Sequence, residues 1–511
     1  MHVVTSQEMR QLDHHTIDKI GIPALVLMEN AGRETARVAA DYFAKRAGAD
    51  RKGRWLILAG KGNNGADAVV AARHLAEWGH HAEVVYAEPP ETLRGDAAVQ
   101  RDIAVRLGIS CQLYQPDTIE WQRFDAVLDG LLGTGSKGAP RGPYAALIRE
   151  ANKSGLPILA VDIPSGLDAD NGSLNAPCIR AEHTITFAFP KRGLVQQPGI
   201  GAAGQLTVVP IGIPAGLADQ LGVKTFLLYE HTLRERLGVD PARPRQPNTH
   251  KGTYGHVLVA AGSRRMSGAG ILCTKAALRS GCGLVTWAVP DHLLESLIGH
   301  VPEAMLAGVA DEKRGDWSAV SPHELLALME GKQAVVIGPG IGRFSEDFDW
   351  MKALWEGAAC PLVIDADGLN MLADHLQKWP RRQAATVLTP HPGEMSRLMN
   401  LSVREIQADR IGTATQYAVE FGVTLVLKGA QTVIATPDGT AFVNTTGNPG
   451  MATGGMGDVL AGLIAGLLAQ GHEAKQAACL GVWLHGRAGD QAAEKIGQNA
   501  LLAGDLIHFL T

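Results

Sequence analysis

The chain of 511 residues is 46% apolar and 19% charged, with a net charge of −5. A length of that order holds roughly two to four domains and buries an ample core without staples. The acidic balance argues against nucleic-acid and anionic-membrane binding, both of which want a basic face.

In chain order, Thr5 to Ile20 has helical spacing with Ser6 as N-cap, and a second helix runs from about Pro23 to Phe43 after Gly21. Short apolar strands follow at Trp55–Ala59, Ala82–Tyr86, Ala126–Asp129, Ile158–Val161, His183–Phe187 and Gln205–Val209. The first four are separated by helical segments, which predicts a mostly parallel sheet with helices on both faces. PARPRQPNTHKG (Pro241–Gly252) is rich in proline and charge and reads as a linker or domain entry. The alternation then resumes with strands at His256–Ala261, Leu284–Val289, Ala334–Ile337, Pro361–Ile364, Thr386–Leu388, Thr424–Leu427 and Val433–Ala435, before a long helical tail from Asp458 to Leu510. The fold class is therefore α/β, with a first domain over 1–225, a linker over 226–248 and a second domain over 249–511. The six cysteines are scattered without a C-x-x-C pair and read as reduced thiols. The N-terminus lacks a signal-peptide pattern, and the apolar run Val459–Ala469 is too short to span a bilayer, so a cytoplasmic protein is expected.

Three loops of the first half follow strands: GKGNNGAD (Gly60–Asp67), LDGLLGTGSKGAPRG (Leu128–Gly142) and VDIPSGLDADNG (Val161–Gly172). Glycines after a strand let backbone N–H groups converge on an anion at a helix N-terminus. Asn63, Asn64 and Asp67 add oxygen ligands suited to a hard cation or to a sugar or amide edge. In parallel sheets ligands bind beyond the carboxyl ends of strands, so three polar loops there predict one pocket. GKGNNG formally matches G-x-G-x-x-G, but neither Glu83 nor Glu88 is a convincing ribose clamp for a hydride-transfer cofactor. A dinucleotide is expected here as substrate.

These loops, with LMENAG (Leu27–Gly32) before them, make the first half resemble the NAD(P)H-hydrate epimerase family, a Rossmann-like fold whose members interconvert the R and S hydrates at C6 of the nicotinamide ring. The resemblance implies K+ at Asn64, Asp129 and Ser165. It implies substrate contacts from Asn63, Asn64, Gly65, Ala66 and Asp67, from Gly133, Thr134, Gly135, Ser136, Lys137, Gly138 and Ala139, and from Asp162. Losing and regaining a hydroxyl beside the ring nitrogen needs an acid–base group; Asp162 is assigned to it, with Lys137 as an assisting cation. The family writes N-N-G-G-D-G where this chain has N-N-G-A-D-A, so Ala66 and Ala68 would weaken the activity if those positions needed positive φ.

In the second half, Gly454, Gly455 and Gly457 precede an apolar helix and build an anion hole of backbone N–H groups with Asp458 inside it. A carboxylate there repels phosphate unless it takes a proton from an attacking hydroxyl. TPHPGEM (Thr389–Met395), LKGAQT (Leu427–Thr432) and IGPGIG (Ile337–Gly342) each follow a strand. With HKGTYGHVLVAAGS (His250–Ser263), SGAG (Ser267–Gly270) and IDADGLN (Ile364–Asn370), these make the second half resemble the ribokinase-like superfamily, and within it the NAD(P)H-hydrate dehydratase family. The resemblance implies hydrate contacts from Ala269, Gly342, His391 and Asp458, with Asp458 as base. It implies ADP contacts from Lys428, Gly429, Ala430, Gln431, Thr432 and Gly457. Mg2+ is expected with the nucleotide, its ligands unassigned beyond Glu394. The implied partners are NADHX, NADPHX and ADP, and a homo-oligomer is expected from the family. The alternative is a ribokinase-like vitamin-precursor kinase with a non-catalytic, ligand-binding first domain; such kinases carry N-x-x-E where this chain has His391-Pro-Gly-Glu394.

Overall fold

The structure is a computed structural model that describes residues 1–373 and 379–510. It divides into two compact units, one of residues 2–224 and one of residues 225–510 together with Met1. Among the described residues no helix is long and apolar enough to cross a membrane.

The first unit is built on seven strands: β1 Arg54–Ala59, β2 His81–Tyr86, β3 Ser110–Leu113, β4 Ala126–Gly130, β5 Ile158–Val161, β6 His183–Phe187 and β7 Gln205–Val209. Their order is β3-β2-β1-β4-β5-β6-β7, and every pairing is parallel. Alternate residues of one strand enter opposite cores. Ile57 and Ala59 pack with Leu128, Leu159 and Ile185 under the helices Ala24–Ala47 and Asn63–Glu77. Leu56 and Leu58 pack with Val127 and Ala160 against Gly142–Lys153. Coverage of both faces explains why the central strands read as continuous apolar runs. The chain leaves β1 toward β2 on one side and returns to β4 on the other, so the strand order reverses there and a crevice forms at the strand ends.

The second unit contains ten strands: β8 Thr225–Leu228, β9 His256–Ala260, β10 Leu284–Pro290, β11 Met305–Val309, β12 Ala334–Ile337, β13 Leu362–Ile364, β14 Thr386–Leu388, β15 Thr424–Leu427, β16 Val433–Ala435 and β17 Ala441–Asn444. The order is β11-β10-β9-β12-β13-β14-β15-β16-β17-β8. Pairing is parallel except where β16 runs antiparallel to both β15 and β17. The helix Met456–Ala469, buried along nearly its whole length, packs with Ala474–Ile496 in one core against this sheet.

Four expectations change. Residues 226–248, expected as a linker, contribute most of β8 and the helix Glu230–Glu235, and β8 closes the second sheet beside β17. The long tail is three helices, Met456–Ala469, Ala474–Ile496 and Ala503–Ile507. The first helix is capped by Thr5: its hydroxyl accepts from the Glu8 amide at 3.1 Å, and Glu8 accepts the Thr5 amide at 2.7 Å. Ser6 instead donates its hydroxyl to Asp170. Finally, β3, β11 and β17 escaped the sequence reading. The first two are edge strands and partly exposed.

Candidate functional site

In the first unit, β1 ends at Gly60, where a Cβ would sit 1.9 Å from the Leu131 carbonyl oxygen. Gly65 approaches the Gly60 carbonyl as closely, with 2.0 Å for an added Cβ. Only glycine lets these backbones touch, which draws the β1 and β4 loops together. The helix begins already at Asn63, so Ala66 and Ala68 stand inside it, buried and without positive φ. Alanine is the better helix former there by about 1 kcal/mol per residue. The N-N-G-A-D-A variant therefore carries no backbone strain. The Ala68 methyl occupies space that Gly130 leaves open, since a Cβ on Gly130 would lie 2.5 Å from it and 2.9 Å from the Asn64 carbonyl oxygen. Gly130→Ala should accordingly lower stability by about 1–3 kcal/mol through overpacking, read as a lower midpoint for the first unit's thermal transition, and Ala68→Gly in the same chain should recover part of it.

The strand ends open into a cleft of about 690 Å³, lined by Asn63, Asn64, Asp67, Gly133, Thr134, Gly135, Ser136 and Asp162 among the expected residues. Gly65 and Ala66 lie behind it, in the helix. Lys137, Gly138 and Ala139 lie outside it on an exposed loop. Lys137, with its side chain 57% exposed, pairs with Asp170 at 2.8 Å and Asp168 at 3.7 Å. The lysine on Asp162 is instead Lys191, which the sequence reading missed. Its side chain is 0% exposed, and it donates to Asp162 Oδ1, to Thr186 Oγ1 at 3.0 Å and to the Phe187 carbonyl at 3.2 Å. Asp162 Oδ1 also accepts the Phe187 amide at 3.0 Å, and the residue sits at φ 62. The signal for Lys191 lay in FAFPKRG, directly after a strand. Asp13 and Asp67 line the same cleft. Burial, with Asp162 adding to it, holds the Asp67 carboxyl well above the usual range.

The three expected K+ ligands are joined by hydrogen bonds. Ser165 donates its hydroxyl to Asp129 Oδ1 at 2.6 Å and its amide to Oδ2 at 2.8 Å. Ser165 Oγ accepts the Leu132 amide at 2.8 Å, and the Asn64 amide group donates to the Leu132 carbonyl at 3.0 Å. Asp129 is fully buried, and burial pushes its carboxyl up to about 6 against the pull of the Ser165 and Leu131 hydrogen bonds. Among the described residues no basic side chain pairs with it.

In the second unit the expected residues sit at the carboxyl ends of β12 to β15 and at the start of Met456–Ala469. Gly342 donates its amide to Asp367 at 2.8 Å, and Ala269 belongs to Ser267–Arg279, packed where Gly340 has no side chain. His391 caps its helix: Nδ1 accepts the Gly393 amide at 2.9 Å, and its own amide donates to Glu394 Oε2 at 2.7 Å. Burial, with Lys428 and Arg397 adding to it, lowers His391. With Nδ1 accepting, the neutral ring carries its proton on Nε2, which lies 3.3 Å from Glu394 Oε1. Lys428, 18% exposed, reaches Asp365 at 2.6 Å and Glu394 at 3.8 Å. It lies beside Gly457, whose Cβ would be 3.2 Å from the ammonium. Gly429, Ala430, Gln431 and Thr432 follow as the loop between β15 and β16, and Arg410, also missed from sequence, donates to the Leu427 and Lys428 carbonyls at 3.0 and 3.2 Å beneath it.

Asp365 is a further residue that sequence reasoning left unassigned, although IDADGLN stood at a strand end. It is 1% exposed and acts on every charge around it. Burial, then the Asp365 charge, raises Asp458 to about 6, with Lys428 opposing. Burial raises Glu394 to about 7, against Lys428. Burial works against the charge of Lys428, but Asp365, Glu394 and Asp458 together raise it. Three carboxyls thus face one ammonium beside the free N–H groups of a helix start. That arrangement can hold a phosphate and move a proton next to it.

Residues 257–511 match the family model described as NAD(P)H-hydrate dehydratase, and residues 24–193 match that of the YjeF-related protein N-terminus. The bifunctional NAD(P)H-hydrate repair enzyme Nnr of Moorella thermoacetica is 43% identical over 100% of this chain and 96% of its own length. That of Escherichia coli is 35% identical over 99% and 92%. A solved ADP/ATP-dependent NAD(P)H-hydrate dehydratase from Bacillus subtilis, co-crystallized with ATP/Mg2+, is 33% identical over 56% of this chain and 96% of its own, with a TM-score of 0.49.

Proposed function

The chain belongs to the bifunctional NAD(P)H-hydrate repair enzymes, and from that premise we propose that the first cleft interconverts the R and S hydrates at C6, while the second site dehydrates the S hydrate with ADP, yielding NAD(P)H, AMP and phosphate. The observation that carries the second half is Asp458, a half-buried carboxyl poised near 6 beside the amides of a helix N-terminus. In the proposed step Asp458 takes the C6 hydroxyl proton as that oxygen bonds to the β-phosphorus and AMP leaves. Phosphate then departs from C6 with the ring nitrogen lone pair assisting, and loss of the C5 proton restores the ring. His391 donates from Nε2 to the hydrate, and Lys428 holds Asp365 while facing the transferred group. Mg2+ supplies charge neutralisation to the phosphates. Asp365, Glu394 and Asp458 outnumber Lys428 and so favour a cation nearby. Among the described residues no three His, Cys, Asp or Glu side chains form a metal cluster, and Mg2+ commonly relies on phosphate and water oxygens.

In the first cleft Asp162, anchored by Lys191, serves as proton acceptor. The oxygen donors of Asn64, Asp129 and Ser165, with the Leu132 carbonyl, suit a hard monovalent cation, and a buried carboxyl lacking a basic partner supports one there. The cation would supply fixed positive charge for an oxygen-rich substrate. Potassium should therefore raise the midpoint of the first unit's thermal transition relative to equal choline, and Asp129→Asn should abolish the difference, because only a ligand that prefers the folded state stabilises it.

The test of the function is to incubate the protein with mixed R and S hydrates of NADH, Mg2+, K+ and ADP and follow absorbance at 340 nm. Conversion of the whole mixture, faster than spontaneous epimerisation allows, supports both assignments. Conversion halting at the S fraction removes the first, and no conversion with ADP or ATP removes the second.

A further inference from the structure

The first cleft holds titratable groups that no step above uses, Asp13 and Asp67 among them. Asp13 lies on Ser6–His14 one turn beyond Met9 and Arg10, and all three line the cleft. The helix is fastened at its start by the Thr5–Glu8 cap and by Ser6 on Asp170. The Asp13 carboxyl makes no hydrogen bond to any described residue. Lys191 has its donors committed to Asp162, Thr186 and Phe187, so it gives Asp13 a field but no bond. Among the described residues Asp162 meets its partners through Oδ1 alone, and Oδ2 has no donor there. Asp13, untied, and Asp162, tied to an ammonium, thus come from two different elements and share one cleft.

Inverting a carbinolamine carbon takes two proton transfers, one to the departing oxygen and one from the arriving water. We propose that Asp13 is a second catalytic carboxyl of this cleft, which protonates the departing C6 hydroxyl while Asp162 receives the proton of the water that adds. The inference rests on the reading of the cleft as the epimerisation site. In the step, the C6–O bond breaks, its electron pair stays on oxygen, and that oxygen takes the Asp13 proton and leaves as water. The ring nitrogen lone pair forms N1=C6. A water then bonds to the opposite face of C6, the N1=C6 pair returns to nitrogen, and the surplus proton passes to Asp162. One proton has moved from Asp13 to Asp162; the reverse turnover, or exchange with solvent, restores it.

The electrostatics agree with this division. Burial lifts Asp13 to about 6, Lys191 opposes, Asp162 adds and His14 opposes. Arg10, Lys61, Asp67, Asp96 and Tyr144 are the other charged or titratable residues lining the cleft. An untied carboxyl near 6 both gives and recovers a proton close to neutral pH.

The test uses the full chain and mixed NADH hydrates with K+, Mg2+ and ADP. The fast phase of NADH release measures the second unit and the S fraction, and the slow phase measures epimerisation. Asp13→Asn should slow the enzymatic slow phase by about 100-fold or more, through kcat with KM within twofold, and leave the fast phase intact. Its residual rate should lose the dependence on pH around 6 that the parent chain shows. Asp13→Glu should recover at least about a tenth of the parent rate by restoring a carboxyl. An Asn variant within threefold of the parent overturns the proposal. So do equal losses in the Asn and Glu variants, or a loss that appears in KM alone. A parent chain whose slow phase is no faster than spontaneous epimerisation refutes the reading of the cleft itself, a separate failure.

Discussion

Asp458→Asn lowers the dehydration rate by about 10²–10⁴-fold, the range lost with a positioned general base, while epimerisation persists at the parent rate. Asparagine keeps the volume and the place at the helix start, so the loss is one of proton acceptance. Stopped assays of S-hydrate consumption, together with R/S interconversion measured without nucleotide, separate the two activities. The pH dependence follows from the same residue. Burial and Asp365 hold Asp458 at about 6, so its basic form dominates above that value. The parent dehydration rate should fall as pH drops through about 6 and level off above 7. Asp365→Asn removes a neighbouring negative charge, which should shift this limb to lower pH. A limb that stays in place would show that another group titrates.

Asp162→Ala removes epimerisation by a similar factor and also destabilises the first unit. Lys191 has no exposure, and Asp162 is its only ion-pair partner among the described residues. Removing one member of a buried pair leaves an uncompensated charge and costs about 3–5 kcal/mol, whereas replacing both with neutral groups of similar size is often close to neutral. The double variant Asp162→Asn with Lys191→Met should therefore melt above Asp162→Ala, and both should be inactive as epimerases. Calorimetry resolves the effect if the second unit's transition stays in place. If Asp162→Ala melts like the parent, Lys191 has lost its proton or found water, and the pair is not the electrostatic anchor described here.

The glycine-rich strand ends were legible because their chemistry is local. GKGNNGAD, VDIPSG and GGMGD each place glycine, asparagine or aspartate within a few residues of an apolar run, and the structure sets each at the carboxyl end of a strand or at a helix start. Strands buried on both faces were legible for the same reason: β5, β6, β12, β14, β15 and β16 have the bounds the apolar runs imply, as does the edge strand β7. The edge strands β3 and β8 were not. Ser110–Leu113 is largely exposed, and its pairing with β2 leaves no apolar run to read. Thr225–Leu228 is apolar, but its place beside β17 depends on a partner more than 200 residues away.

The sequence by itself therefore determined the alternation of strands and helices, the positions of the glycine-rich turns and the placement of Asp162 and Asp458 beside them. Each depends on neighbours along the chain. Only the tertiary structure decided which charges meet. It set Lys191 rather than Lys137 on Asp162, drew Asp365 and Glu394 around Lys428, and brought Asp13 from the first helix into the cleft. Those pairings depend on burial and on distances of a few ångströms between residues from about 30 to 150 positions apart. No spacing along the chain encodes them, because the low dielectric that gives them their strength exists only once the sheets are covered.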